Sequence, residues 1–373
     1  MIPLSEPVLT ELDQRYVQEC VASGWVSSAG PWVERFEQAL VAYTGAGHAV
    51  AVSSGTAALH LSLLVAGVQP GEVVLMPDLT FVASANAVRY CGAEPWLVDI
   101  DPNHWQMDLG LLRERWGESF EKRGKDWVTQ SQGRRVGALM LVHVLGYGAQ
   151  LPAWQALAAD LGLPLIEDAA EALGSRYGGR HLGTFGQLGC LSFNGNKVMT
   201  TGGGGAVLTD DAELAQRVRH LSTQARSEAF TYQHDEVGYN YRLSGLSAAL
   251  GLSQLEQLPG FLTRKAQVMA RYQAELGPDF TFPQLDPACQ PNHWLCTART
   301  PDRDGLAQAL AAQDIQSRAL WTPMHRLPMY RDGPLLTSHA HSDRLFAQAL
   351  SLPSSVSLTE AQQTQVIGVL QRT

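Results

Sequence analysis

The chain has 373 residues, 45% of them hydrophobic and 17% charged, with a formal net charge of −9. That length is long for one core and suits two unequal domains, and the composition is that of an ordinary globular protein. An acidic balance of this size provides no broad basic field, so neither nucleic acid nor an anionic membrane is an expected partner, although a local basic pocket for a small anion stays open.

In chain order, Met1 to Pro7 shows no basic patch followed by an apolar core, and no apolar run reaches membrane-spanning length. The expectation is a cytoplasmic protein, neither exported nor inserted. From about residue 47 to 210, short apolar runs alternate with amphipathic segments: Ala49 to Val52, Val73 to Met76, Pro95 to Val98, Ala138 to Val142, Leu163 to Ile166, Cys190 to Phe193 and Ala206 to Leu208. Such alternation predicts an α/β fold with a largely parallel or mixed sheet wrapped by helices. Residues 101–135 interrupt it with a charged, tryptophan-containing stretch that reads as an inserted helix and an exposed turn. After Leu246, the residues Leu250, Leu255 and Leu258 keep a helical stripe that Pro259-Gly260 is expected to break. The predicted boundary falls at that break, giving a large domain over 1–258 and a small α+β domain over 259–373. Helical patterns follow at 262–276, 304–313 and 360–371, the last opened by Thr359 with Gln362 as a capping box. Five scattered cysteines without a CxxC spacing argue against a zinc site or a disulfide framework.

Several of these runs end in residues that carry chemistry. Ser53-Ser54-Gly55-Thr56-Ala57-Ala58-Leu59 follows the first strand and opens a helix, where free N–H groups and the helix dipole can hold a phosphate; a plain capping turn is the other reading. Phe81 falls just past the second strand, placed either to stack on a flat ring or to pack in the core. Asp168 follows Pro164-Leu165-Ile166, where an unpaired buried carboxylate would cost several kcal/mol. It therefore needs a cation, is exposed, or caps a helix over Ala169 to Leu173. Lys197 follows the turn Asn194-Gly195-Asn196 and precedes a run of four glycines, Gly202 to Gly205, which let backbone approach a bound group closely. Ser192 on the same strand end offers a hydroxyl to a phosphate. A lysine and a carboxylate delivered together at strand ends are the equipment of pyridoxal 5'-phosphate (PLP) chemistry. Gly238-Tyr239-Asn240-Tyr241-Arg242 reads as a loop able to reach across a subunit interface, and His325 and Tyr330 either line a sugar pocket or cap a turn.

In this order, Ser54 to Leu59, Glu167-Asp168 with Glu171, Ser192 through Lys197, and Asn240 with Arg242 resemble the DegT/DnrJ/EryC1/StrS family of nucleotide-sugar aminotransferases, over nearly the whole chain. The resemblance implies the aspartate aminotransferase fold (type I PLP-dependent), a large mixed-sheet domain plus a smaller α+β domain, and a homodimer with shared active sites. By position it implies that Lys197 carries the cofactor, that Asp168 pairs with the pyridine nitrogen, and that Gly55, Thr56, Ala57 and Ser192 hold the phosphate. Asn240 would arrive from the other subunit and Phe81 would cover the ring. Glu171 stands where the family often has a glutamine near the ring hydroxyl, and Gly203 where it often has a glutamate. Trp25, Ser27, Asn194, Arg242, His325 and Tyr330 fall to the substrate side.

Gly24 to Ser28, the insertion around Trp105 to Asp108, and Pro291-Asn292-His293-Trp294-Leu295 are similar to the branch serving bacillosamine and legionaminic acid type sugars. That likeness implies transfer from glutamate, by way of pyridoxamine 5'-phosphate, to the C4 ketone of a nucleotide-linked 4-keto-6-deoxy N-acetyl sugar for surface polysaccharide or glycan synthesis. Transfer at another ketone position is the alternative. A dehydratase of the same family would carry histidine in place of Lys197, and a Rossmann dehydrogenase would need a GxGxxG turn that Ser53 to Leu59 does not supply. A cofactor-binding sensor remains as a non-catalytic reading, without a basic DNA-binding appendage to support it.

Overall fold

The computed structural model describes residues 1–228 and 230–372. Seven strands form the central sheet: β1 (His48–Val52), β2 (Val73–Pro77), β3 (Glu94–Val98), β4 (Val136–Val142), β5 (Leu165–Asp168), β6 (Leu188–Ser192) and β7 (Gly205–Thr209). Their order is β1-β7-β6-β5-β4-β2-β3. The pairs β3–β2, β2–β4, β4–β5 and β5–β6 are parallel, while β7 runs antiparallel to both β6 and β1. The sheet is thus mixed, and each apolar run read from the sequence overlaps one of its strands.

Alternate residues of these strands face two different cores, as the period of two requires. Leu75, Leu139 and Leu165 join one core, packed under helices α1 (Glu11–Ser23), α2 (Pro31–Thr44), α5 (Leu109–Ser119) and α6 (Leu151–Leu161). Val74, Met140 and Ile166 join the other, under α3 (Gly55–Val65), α4 (Ala83–Tyr90) and α7 (Ala212–Ser222). A third core gathers Ile2, Val268, Met269 and Tyr272 with residues of α9 (Arg303–Ala311), α11 (Glu360–Leu370) and a small antiparallel sheet. That sheet has the order β8-β10-β9, with β8 at Cys296–Arg299, β9 at Arg318–Ala319 and β10 at Ala349–Leu352. The short helix α10 (Ala340–Gln348) leads into β10, and the Thr359–Gln362 capping box opens α11.

Three expectations are corrected. Helix α8 spans Gly245–Glu275 and passes through Pro259 and Gly260 without ending, so the boundary drawn at 258/259 lies inside a helix. Proline there removes one hydrogen-bond donor, but Leu252, Leu255, Leu258 and Phe261 are buried in the first core and Val268, Met269 and Tyr272 in the third. Burial on both sides outweighs the local defect. The 101–135 stretch holds α5 as expected, followed by a hairpin, Phe120–Arg123 with Asp126–Thr129, where only a turn was expected. Its two-residue Gly124-Lys125 loop, with Gly124 at φ 65, is of the glycine-first kind that suits strand twist. Residues 169–173 form no helix, so Asp168 is not an N-cap. Among the described residues no helix is long and apolar enough to cross a membrane.

Residues 2–6 lie along the small sheet. Ile2 pairs with Ile315, Ser354 donates its N–H to the Leu4 carbonyl, and Glu6 donates its N–H to Ser355 Oγ at 3.0 Å.

Candidate active site

Because β1, β2, β4, β5 and β6 are parallel, the loops at their carboxyl ends converge on one edge of the sheet, the place where such sheets bind ligands. A cleft of about 440 Å³ lies there, closed on the far side by the small sheet and the residues around Trp294.

One end is formed by the start of α3. Ser54 is extended, and its Oγ accepts the Ala57 N–H at 3.0 Å, while Gly55 and Thr56 line the cleft with the first-turn N–H groups of the helix. A Cβ on Gly55 would stand 2.7 Å from the Ser192 Cβ, so only glycine lets this turn approach β6. Ser192 lines the same end. Ala57 does not line the cleft, because its N–H is taken by the cap and its side chain is buried. This corrects its expected phosphate contact.

Asp168 ends β5 and is only 5% exposed. Its Oδ2 accepts from Ser84 Oγ at 2.6 Å and its Oδ1 from the Ala170 N–H at 3.1 Å. Burial still pushes its pKa up, against the opposing pull of those hydrogen bonds and of Lys197. The carboxylate is short of a cation, which a protonated pyridine nitrogen would supply. Glu167, one residue earlier, faces the opposite side of the sheet. There it pairs with His143 Nε2 at 2.7 Å and accepts N–H groups from Gly183 and Gly186. Burial works against its ionisation, but these bonds outweigh it and hold the carboxyl below its usual value.

Lys197 follows β6 in a turn closed by its own N–H donating to the Asn194 carbonyl. Its Nζ lies 3.4 Å from Glu171 Oε1 and 4.0 Å from the centre of the Trp294 ring. Glu171 Oε2 accepts the Leu145 N–H at 2.8 Å. Burial pushes the Glu171 carboxyl up to about 7 even with Lys197 beside it. The Asn196 carbonyl accepts from Trp294 Nε1 at 2.6 Å and from Ser5 Oγ at 3.3 Å, so the lysine turn is anchored to the far wall and to the amino-terminal segment. Gly203 lines the cleft with nothing within 4 Å of where a Cβ would stand. Phe81, 53% exposed, lines the cleft and belongs to none of the three cores, which separates it from the core-packing reading.

Asn194 lines the cleft; the other expected substrate residues do not. The carbonyl of Ser27 accepts the Gly245 N–H at the start of α8, and Trp25 is half exposed beside it. Asn240 and Arg242 bridge to Thr223 and Val52 and stay outside the cleft within one chain. His325 sits in a short 3-10 turn, Met324–Arg326, and gives its N–H to Asp78 Oδ1 at 2.9 Å while its Nδ1 meets Asp78 Oδ2 at 2.7 Å. Tyr330 is buried with its hydroxyl on Asn86. Both fasten turns, and neither lines the cleft of the single chain.

Four residues of the site have no counterpart in the sequence reading of its chemistry: Ser84, Trp294 as the ring over Lys197, Arg318 and Trp321. Trp294 and Trp321 stack at 14° with centroids 6.5 Å apart. The only local signal for any of them was Trp294 within the Pro291 to Leu295 motif.

The DegT/DnrJ/EryC1/StrS aminotransferase family model matches residues 7–371. The chain is 37% identical to a Bacillus subtilis (strain 168) protein, EpsN, named as a candidate pyridoxal phosphate-dependent aminotransferase, covering 99% of this chain and 95% of that one. It is 35% identical to the GDP-perosamine synthase of Escherichia coli O157:H7, over 97% of this chain and 95% of the relative. Among solved structures, a DegT DnrJ EryC1 StrS aminotransferase from Brucella abortus superposes with a TM-score of 0.90 at 31% identity, covering 97% and 95% of the two chains.

Proposed function

Because the chain belongs to the DegT/DnrJ/EryC1/StrS aminotransferase family, we propose that it is a PLP-dependent nucleotide-sugar transaminase that moves the amino group of glutamate to the C4 ketone of a 4-keto-6-deoxy N-acetyl sugar. The observation that carries this reading is the meeting of Lys197, the cation-deficient Asp168 and the α3–Ser192 anion site in one cleft. Glutamate and C4 follow from the resemblance of the Gly24 to Ser28, Trp105 to Asp108 and Pro291 to Leu295 segments. A sugar nucleotide is also the class named for the perosamine relative.

The residues fit PLP: first-turn N–H groups of α3 and the Ser192 hydroxyl for its phosphate, Asp168 for its ring nitrogen, Phe81 for its face and Lys197 for its aldehyde. When bound, the cofactor supplies an electron sink for the bond broken at the amine-bearing carbon. The chain's own part is positional and protic. Asp168 keeps the ring nitrogen protonated, and the Ser84 hydroxyl fixes that carboxylate in place. With the cofactor bound, the free amine of Lys197 would be the base that accepts the proton of the amine-bearing carbon and the acid that gives it back. Glu171 holds the resulting ammonium, and the Trp294 ring shields it from water. In the second half of the cycle the same lysine runs the transfer in reverse on the keto sugar.

The test is incubation of the PLP-loaded protein and glutamate with UDP-, GDP- and dTDP-linked 4-keto sugars, followed by product analysis. An amino group at C4 together with 2-oxoglutarate is the expected result. A product aminated at another carbon, or none from any of these sugars, overturns the C4 assignment.

A further inference from the structure

We propose that Arg318 is the anion-binding residue of the cleft, taking up the carboxylate of the amino donor or the diphosphate of the sugar nucleotide; the inference rests on the transamination reading above and identifies what holds its substrates. Among the described residues, four charged side chains line the cleft: Asp168, Glu171, Lys197 and Arg318. Three are engaged. Asp168 accepts from Ser84 and Ala170, and Glu171 accepts from Leu145 and faces Lys197, whose amine also sits on the Trp294 ring. The guanidinium of Arg318 alone has no hydrogen bond, ion pair or ring contact among the described residues.

This residue stands on a different element from the phosphate end, which is made by α3 and β6. Arg318 belongs to β9 of the small sheet, in register with Ser351, which also lines the cleft. Three residues further on, Trp321 stacks on Trp294, and Trp294 covers Lys197. The far wall therefore consists of a flat aromatic pair leading to the reacting amine, with one unpaired cation at its side. Both substrates of the transamination are anions, and neither Asp168 nor Glu171 can hold them. A planar guanidinium offers parallel N–H donors to a carboxylate or to phosphoryl oxygens, a geometry lysine lacks.

The experiment uses the PLP-loaded protein and the fluorescence of its tryptophans, two of which, Trp294 and Trp321, line the cleft. Titration with glutarate, a dicarboxylate with no amine to react, probes the carboxylate; titration with UDP, GDP and dTDP probes the diphosphate. In Arg318→Gln, the dissociation constant for at least one probe rises about tenfold or more with cofactor content unchanged, and Arg318→Lys recovers part of the loss. Weakening of glutarate alone assigns the carboxylate, of nucleoside diphosphates alone the diphosphate, and of both an alternating site. Unchanged binding of every probe, loss of bound cofactor in Arg318→Gln, or no binding by the wild type overturns the proposal. A wild-type protein whose visible band glutamate fails to bleach would overturn the transamination reading separately, leaving the fluorescence result to stand or fall by itself.

Discussion

The Glu171 carboxyl, pushed from 4.5 up to about 7 chiefly by burial, keeps in the folded protein a proton that the unfolded chain has lost. A raised acid of this kind makes stability fall as pH climbs from 4.5 to 7. Glu171→Gln has no such proton. In the cofactor-free protein, wild-type stability relative to Glu171→Gln should drop by up to about 3 kcal/mol over that interval, read from urea titrations at its two ends. A difference that stays flat would mean that the carboxyl ionises freely. Asp168→Asn keeps the shape of the side chain but removes the charge proposed to face the ring nitrogen. Its proton-transfer rate should fall at least about a hundredfold, with bound cofactor measured separately; full activity would place the ring's partner elsewhere. Lys197, Asp168, Ser192 and Gly55 were legible because each stands at or just beyond an apolar run, and strand ends meet. Ser84, Trp294 and Arg318 were not, since their relation to the site is tertiary: Trp294 reaches the carbonyl of Asn196 across 98 positions.

At the level of elements, the alternating runs disclosed the sheet because buried strands need unbroken apolar sequence, whereas α8 defied its proline because its stopping point is set by burial in two cores. Pro259 is exposed and interior to that helix. Pro259→Ala should therefore stabilise the protein, by up to about 3 kcal/mol, with activity unchanged; a lower melting temperature would show that the proline shapes a bend the packing requires. A second junction depends on pH. Asp78 follows β2, and its carboxylate binds the His325 turn, with His339 Nδ1 at 3.1 Å and Asp343 and Arg326 on the outer side. Burial opposes ionisation of Asp78, but its histidine hydrogen bonds outweigh that and hold it down to about 2, and the bond to Asp78 raises His325 above 6.5. The Asp78 contribution is present above 3.8 and lost as pH falls toward 2; that of His325 is present below 6.5 and lost as pH rises through its raised value. The gap in melting temperature between wild type and His325→Gln should therefore be widest near pH 5, between those limits, and narrow by about pH 9. A gap independent of pH would mean that the imidazole's charge does not matter there.

For the whole molecule, Asn240 and Arg242 stand outside the cleft of a single chain, and the resemblance implies that Asn240 serves the site of a second copy. If Asn240 reaches the neighbour's phosphate, Lys197→Ala and Asn240→Ala chains refolded together should restore activity to about a quarter of wild type, because half the dimers are mixed and one site in each is intact. Asn240→Ala must first be shown to be impaired by itself. Mixed dimers with only the parents' residual activity would confine Asn240 to its own chain.

The amino-terminal stretch gives the molecule a timetable. Glu6 donates to a serine 349 positions away, Leu4 to a glutamine 312 away, and Ser5 touches the carbonyl of Asn196, beside Lys197. These amino-terminal residues are synthesised well before the partners they pair with. Ile2, Leu4 and Glu6 find their partners at Ile315, Gln316 and Ser355 only once the small sheet has been synthesised. The large sheet can collapse early around contacts already made, but the seam that steadies Asn196 and Lys197 closes only when residues 2–6 have paired along the small sheet. Capacity for chemistry is thus expected to mature after the bulk of the structure has formed, in one late docking step.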